Sequence, residues 1–218
     1  MALSPEILLS KAARARCIAN LKELPLFVSK DLPEKKPASV LVPLCTVNEE
    51  VCILYTLRSS NLSTHSGQVS FPGGKQDHKE SVIDTAVRET EEEIGFPRKD
   101  VDIWAEMTPV QGRDKNVVIT PIIGQLRNFD QKKLIINSAE VEEVFTVPMT
   151  VFCDVNNHAH FTYQNIALPV YLCGKHKIWG ISGMITHLFL TSFLPNDLYN
   201  PNFMSKSYVL EELMPAKL

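Results

Sequence analysis

Hydrophobic and polar positions divide the chain into segments of two different periods. Residues 39–47 and 51–57 are dense in Val, Leu, Ile and Tyr and are joined by the turn-like Asn48-Glu49-Glu50, a pattern that predicts a β-hairpin. Beyond residue 58 the pattern lapses into a loop that ends in the double glycine Gly73-Gly74. Over residues 81–94 the apolar positions return at helical spacing: Ile83, Ala86, Val87, Thr90 and Ile94 share one stripe when successive residues turn by about 100°. Ser81, three residues ahead of Asp84, is a start signal for that helix, and Gly95 is a stop signal. Strand-like segments follow near 101–110, 117–126 and 142–147, with shorter ones at 160–164, 167–172 and 177–179. A second apolar helix is predicted over 181–194. Residues 1–24 read as a further helix, and 31–38, with Pro33 and Pro37, as a linker into the core. Strands mixed with two or three helices, without regular βαβ alternation, predict a layered α+β domain.

Composition narrows the class. A chain of 218 residues suffices for one sizeable core, and 44% hydrophobic with 22% charged residues is ordinary for a soluble globular protein. The formal net charge of −3 leaves no broad basic field, so nucleic acid is not an expected partner. An anionic small molecule would need a locally cationic pocket. No apolar stretch approaches the roughly 18 residues of a membrane span, so no membrane partner is expected either. The five cysteines contain no C-x-x-C pair, which points to a reducing compartment and no disulfide framework. The N-terminal helix is mildly basic, with Lys11, Arg14, Arg16 and Lys22 against Glu6 and Glu23. It reads either as a packed helix or as a mitochondrial targeting segment, the two glutamates counting against the latter.

The helix over 81–94 carries the chemistry. Glu89 and Glu93 lie about 40° apart around its axis and Glu92 about 60° from Glu89, whereas Glu91 points elsewhere. Like charges at these spacings repel by a few tenths of a kcal/mol per pair, and the C-terminal end of a helix disfavours negative charge. A divalent cation among the oxygens removes both penalties. Magnesium prefers hard oxygen ligands and shares its remaining positions with water and substrate phosphates. A solvated acidic face is the plainer alternative, and the residues around the run decide against it.

Those residues are Gly74, then Glu80 after five positions, then after seven more Arg88-Glu89-Thr90-Glu91-Glu92-Glu93-Ile94-Gly95-Phe96. The run resembles the Nudix box, G-x5-E-x7-R-E-U-x-E-E-x-G-U with U a bulky apolar residue, and departs from it only at Thr90. The resemblance implies the Nudix fold, an α/β/α sandwich with a central mixed sheet and the Nudix loop–helix–loop. It also implies a diphosphatase that uses Mg2+ or Mn2+. It assigns Glu89, Glu92 and Glu93 as metal ligands together with the backbone carbonyl of Gly73. Glu89, Arg88 and Glu92 form the catalytic set, Arg88 holding the carboxylates by bidentate hydrogen bonds. The proton acceptor is Glu89 or a glutamate of the Asn137-Ser138-Ala139-Glu140 loop. Otherwise Glu140, Glu142 and Glu143 read as solvated charges where a strand begins.

Upstream, Leu54-Tyr55-Thr56-Leu57-Arg58-Ser59 and Gly67-Gln68-Val69-Ser70-Phe71-Pro72-Gly73-Gly74 are similar to the signature of the coenzyme A diphosphatase subfamily, L-L-T-x-R-S followed by G-x3-F-P-G-G. The likeness runs from residue 40 to 194 and implies hydrolysis of coenzyme A and acyl-CoA to 3′,5′-ADP and (acyl-)4′-phosphopantetheine. Arg58, His65 and Lys75 are then the residues expected to meet the substrate. Two alternatives stay open: a diphosphatase for dinucleotides or nucleotide sugars, and a non-catalytic sensor of coenzyme A or nucleotides. A sensor would be expected to lose a box glutamate, and all are present. The chain divides into an N-terminal helix and linker (1–38), the hydrolase domain (39–195) and a C-terminal tail (196–218). The tail ends in Ala216-Lys217-Leu218, which resembles the S-K-L peroxisomal address. An import receptor is then a partner and the peroxisome the expected location, with the mitochondrion as the alternative.

Overall fold

The computed structural model describes residues 3–28, 36–62, 66–112 and 116–214. The predicted hairpin is present as β1 (Lys36–Val47) and β2 (Glu50–Arg58), with Val47 opposite Glu50. Asn48 and Glu49 take φ of 48° and 64°, the backbone of a two-residue turn whose twist matches the flanking strands. Along β1, Leu41 and Cys45 face one hydrophobic cluster while Val42 and Leu44 face another, and all four are buried. A strand buried on both sides must lie in the middle of a sheet with cover on each face.

The rest of that sheet is built around this strand. β3 (Val69–Ser70) pairs with β2 and β4 (Gly73–Lys75) with β1. β7 (Val117–Leu126) runs parallel to β1 from Lys36↔Val117 to Leu44↔Gln125. β8 (Val141–Pro148) lies antiparallel on β2. The region expected as one strand over 101–110 is two, β5 (Val101–Glu106) and β6 (Val110–Gln111), both paired with β7. The ladder shifts register between Ile103 and Ala105, and Pro109, which has no N–H to donate, separates the two pieces.

Helices cover both faces. Short α1 (Pro5–Leu8) leads into α2 (Lys11–Lys22). α3 (Val82–Ile94) sits on the Leu41–Cys45 face, where Ala86 and Ile94 join Cys52, Leu54 and Ile122. After β8 comes α4 (Met149–Cys153), and α5 (Gly180–Phe193) packs on the opposite face with α2. The result is the α/β/α sandwich about a mixed sheet, as expected. A second sheet in the order β11-β10-β9-β12 flanks it, from β9 (His158–Tyr163), β10 (Ile166–Cys173), β11 (His176–Ile178) and β12 (Ser207–Tyr208).

The N-terminal helices and the described residues beyond 195 are built into this frame. In the N-terminal helices Leu8, Ala13, Cys17 and Leu21 are buried. Arg16 and Asn20 donate to the carbonyls of Phe193 and Ser192 at 3.2 and 3.0 Å, supplying partners that a helix C-terminus otherwise lacks. Beyond residue 195, Tyr199 is buried, β12 pairs in parallel with β9, and Leu213 of α6 (Leu210–Leu213) packs on the small sheet with Phe161 and Val170. No helix among the described residues is long and apolar enough to cross a membrane.

Candidate active site

The α3 helix starts and stops where its sequence signals indicate. Ser81 Oγ accepts the Asp84 N–H at 3.1 Å, and Gly95 closes the helix at φ 69°. Its inward face differs from the expected apolar stripe. Thr85, Ala86, Thr90, Glu93 and Ile94 are buried, and Val87 is only half-buried. The helix is thus turned to bring a glutamate, rather than a valine, against the glycine turn between β3 and β4.

That turn is tightly seated. Phe71 is buried against Tyr55, with ring centroids 4.8 Å apart, and the Pro72 carbonyl accepts the Leu41 N–H at 2.9 Å. A Cβ on Gly74 would run into the Glu89 carboxyl group. Only glycine lets the carboxylate lie directly on the backbone there, which gives the first residue of the motif a steric reason.

Arg88 ties one flank of the helix together. Its Nε and Nη2 grip Glu80 Oε1 and Oε2 at 2.7 and 3.0 Å. Its Nη1 reaches Glu89 at 3.0 Å and Glu92 at 2.9 Å, and Nη2 also donates to the Lys75 carbonyl at 3.3 Å. The Arg88 hydrogen bonds hold the Glu80 carboxyl down to about 2. A two-pronged arginine–carboxylate pair fixes geometry as well as charge.

On the other flank, carboxylate oxygens of Glu89, Glu93 and Glu140 all lie within 4.8 Å of one another. Glu93 is 2% exposed, and its Oε2 accepts the Gly73 N–H at 3.4 Å. Burial pushes its carboxyl up to about 8; the Arg58 guanidinium opposes this, while Glu89 and Glu140 add to it. Burial also raises Glu89. Glu140 arrives from outside the helix. Its loop is fastened to the end of α3 by Ile135 N–H to Ile94 O (3.0 Å) and Asn137 N–H to Glu93 O (2.9 Å). The Asn137 side-chain amide then donates to Glu140 Oε1 at 3.3 Å.

The structure therefore brings Glu89 and Glu93 together with Glu140, the loop glutamate for which the sequence left two readings open. The nearest sequence signal was the turn chemistry of Asn137-Ser138 ahead of a strand. Glu92, expected beside them, has a side chain 52% exposed and lies on the Arg88 flank. Glu91 turns away to Arg98 at 2.6 Å, and Glu143 pairs with Lys175 at 2.9 Å. Arg58 stands at the end of β2, where the register with β8 shifts, and its buried Nε has no hydrogen-bond partner among the described residues. Lys75 is exposed, and His65 lies outside the described residues.

Three clustered carboxylates, one of them nearly inaccessible, are costly without a compensating charge, and their oxygens are the donors a hard divalent cation takes. A cation site beside a backbone turn and an arginine is the apparatus of a metal-dependent phosphoanhydride hydrolase. Residues 35–165 match the family model described as NUDIX domain, and the chain belongs to the Nudix hydrolases. It is 39% identical over 175 residues to the mitochondrial coenzyme A diphosphatase NUDT8 of Mus musculus, covering 76% of this chain and 81% of that protein. It is 37% identical over 128 residues to the peroxisomal coenzyme A diphosphatase NUDT7 of Mus musculus, covering 58% and 51%. Among solved structures, a MutT/nudix family protein from Enterococcus faecalis superposes with a TM-score of 0.52 at 18% identity, over 84% of this chain and 69% of that one. That last likeness concerns the fold.

Proposed function

We propose that this chain hydrolyses the diphosphate bond of coenzyme A and acyl-CoA, giving 3′,5′-ADP and (acyl-)4′-phosphopantetheine. One observation carries the reading. Both runs that are similar to the coenzyme A diphosphatase signature, 54–59 and 67–74, contribute residues that lie against the carboxylates. Arg58 acts on Glu93, the Gly73 N–H bonds to it, and Gly74 lies under Glu89. The relatives named as coenzyme A diphosphatases support the same substrate.

Glu89 and Glu93 would hold a divalent cation, Mg2+ or Mn2+, with the Gly73 carbonyl, and Glu92 would join them from the exposed Arg88 flank. When bound, the cation neutralises phosphoryl oxygens and acidifies the attacking water. Glu140 accepts the proton of that water: it comes from a separate loop, and the Asn137 amide orients it. Arg88 does not meet the substrate; it positions Glu89 and Glu92. Arg58, Lys75 and His65 supply positive charge and hydrogen bonds to the substrate phosphates. The cell address is the peroxisome, read by an import receptor where Ala216-Lys217-Leu218 stands as a free end. The use of Arg14 and Arg16 in contacts within the fold favours a packed N-terminal helix over a removable one. Deleting the last three residues should then disperse a tagged protein from peroxisomes.

Incubation with coenzyme A and Mg2+, followed by product analysis, tests the activity. The expected products are 3′,5′-ADP and 4′-phosphopantetheine. Much faster turnover of ADP-ribose or NADH than of coenzyme A would overturn the substrate assignment.

A further inference from the structure

Two large apolar side chains stand exposed on the loop that delivers Glu140: Ile135 is 77% and Ile136 42% accessible. They are held in place rather than loosely displayed. Ile135 N–H bonds to the Ile94 carbonyl, and the next residue but one, Asn137, is bonded both to the Glu93 carbonyl and to the Glu140 carboxylate. Gly95 packs so closely on this loop that an added Cβ would stand 2.8 Å from Ile135 Cβ. Meanwhile the preceding Leu134 turns inward to the α3 face of the sheet. Isoleucines fixed on the loop that carries Glu140, with Ile136 next to the Asn137 that bonds its carboxylate, leave apolar area in water that a suitable ligand group could cover.

We infer that Ile135 and Ile136 form the specificity contact for the pantoyl part of the substrate, an inference that rests on the coenzyme A reading above. The chemistry of the substrate matches the placement. In coenzyme A, a carbon bearing two methyl groups follows one methylene away from the diphosphate oxygen. A substrate whose diphosphate meets a cation held by Glu89 and Glu93 would therefore have a compact branched apolar group next to the cluster. Nucleotide sugars and dinucleotides present a hydroxylated ribose or hexose at that distance, which gains nothing from two isoleucines. Discrimination of this kind is modest, on the order of 10-fold per buried apolar group.

The test is the double variant Ile135→Ser/Ile136→Ser, whose exposed positions leave the core intact. The kcat/KM for coenzyme A should fall about tenfold. Inhibition by 4′-phosphopantetheine should weaken by a similar factor, while inhibition by inorganic diphosphate and the thermal midpoint stay as in the wild type. Unchanged inhibition by 4′-phosphopantetheine, or an equal loss with inorganic diphosphate, overturns the inference. A wild-type protein that does not cleave coenzyme A would instead defeat the substrate assignment itself.

Discussion

On one flank of α3, Glu80, Arg88 and Glu92 form a chain of ion pairs, and the Arg88 hydrogen bonds hold Glu80 down to about 2. On the other flank Glu89, Glu93 and Glu140 crowd together, and burial pushes Glu93 up to about 8. The side-chain type is the same and both groups flank one helix; what differs is whether the partner is chiefly an arginine or another acid. The first flank is already charge-paired by Arg88 and acts chiefly as a brace. The second gathers acids that a cation would complete, and it is there that we place the reactive centre. Glu89 touches both, through Arg88 on one side and Glu93 on the other.

Substitutions should separate the two flanks. The largest effect is expected for Glu93→Gln, which removes the proposed buried cation ligand. Turnover should drop by about a thousandfold, the several kcal/mol that a metal contributes to such a reaction, and Mn2+ binding followed by electron paramagnetic resonance should weaken with it. Glu140→Gln should lower kcat by about a hundredfold or more while leaving Mn2+ affinity closer to normal, as for loss of a proton acceptor. Arg88→Met should weaken metal affinity by roughly 10–100-fold, the range for residues that orient ligands. Glu92→Gln should cost turnover less than Glu93→Gln, and as an exposed pair no more than about 0.5 kcal/mol of stability. A Glu92 variant as inactive as the Glu93 variant would move the cation to the braced flank.

Acidity gives the smallest and most direct comparison. For Glu93 the folded carboxyl titrates near 8, above its ordinary 4.5. The folded state therefore binds the extra proton between those values. Its contribution to stability is fully present below about 4.5 and is lost as pH rises through about 8. Metal-free protein should show a falling melting temperature over that window. Mg2+ should restore it, and Glu93→Gln should flatten the slope. Glu80 behaves oppositely: its folded carboxyl lies near 2, so its contribution is present above about 4.5 and is lost as pH falls towards 2. Thermal melts of Glu80→Gln across the acid range would check this, with a shallower acid decline expected.

Legibility followed the range of the interactions. The hairpin, the Ser81 start and the Gly95 stop were readable because each depends on a few adjacent residues. The spacing of Glu89 and Glu93 was readable because a helix converts spacing into angle. Membership of Glu140 in the cluster was not decidable, since it depends on a loop over forty positions onward folding back on the end of α3. The inward side of α3 departs from its apolar pattern at Val87, because local hydrophobicity gives way where a helix turns a carboxylate inward. β12, with two residues, and α6, with four, were too short to carry a period.

The parallel pairing of β1 with β7 has a consequence in time. A hairpin can close as soon as its second strand is made, but β1 meets β7 only after the chain has reached Leu126. Glu140 is synthesised later still. Non-local pairing of this kind forms slowly, and synthesis at about 5–20 residues per second exposes the box helix for several seconds before its partners exist. During that interval the acidic run is an ordinary charged helix, and the cluster proposed to hold a cation against a diphosphate is complete only once Glu140, 46 residues beyond Ile94, has been added.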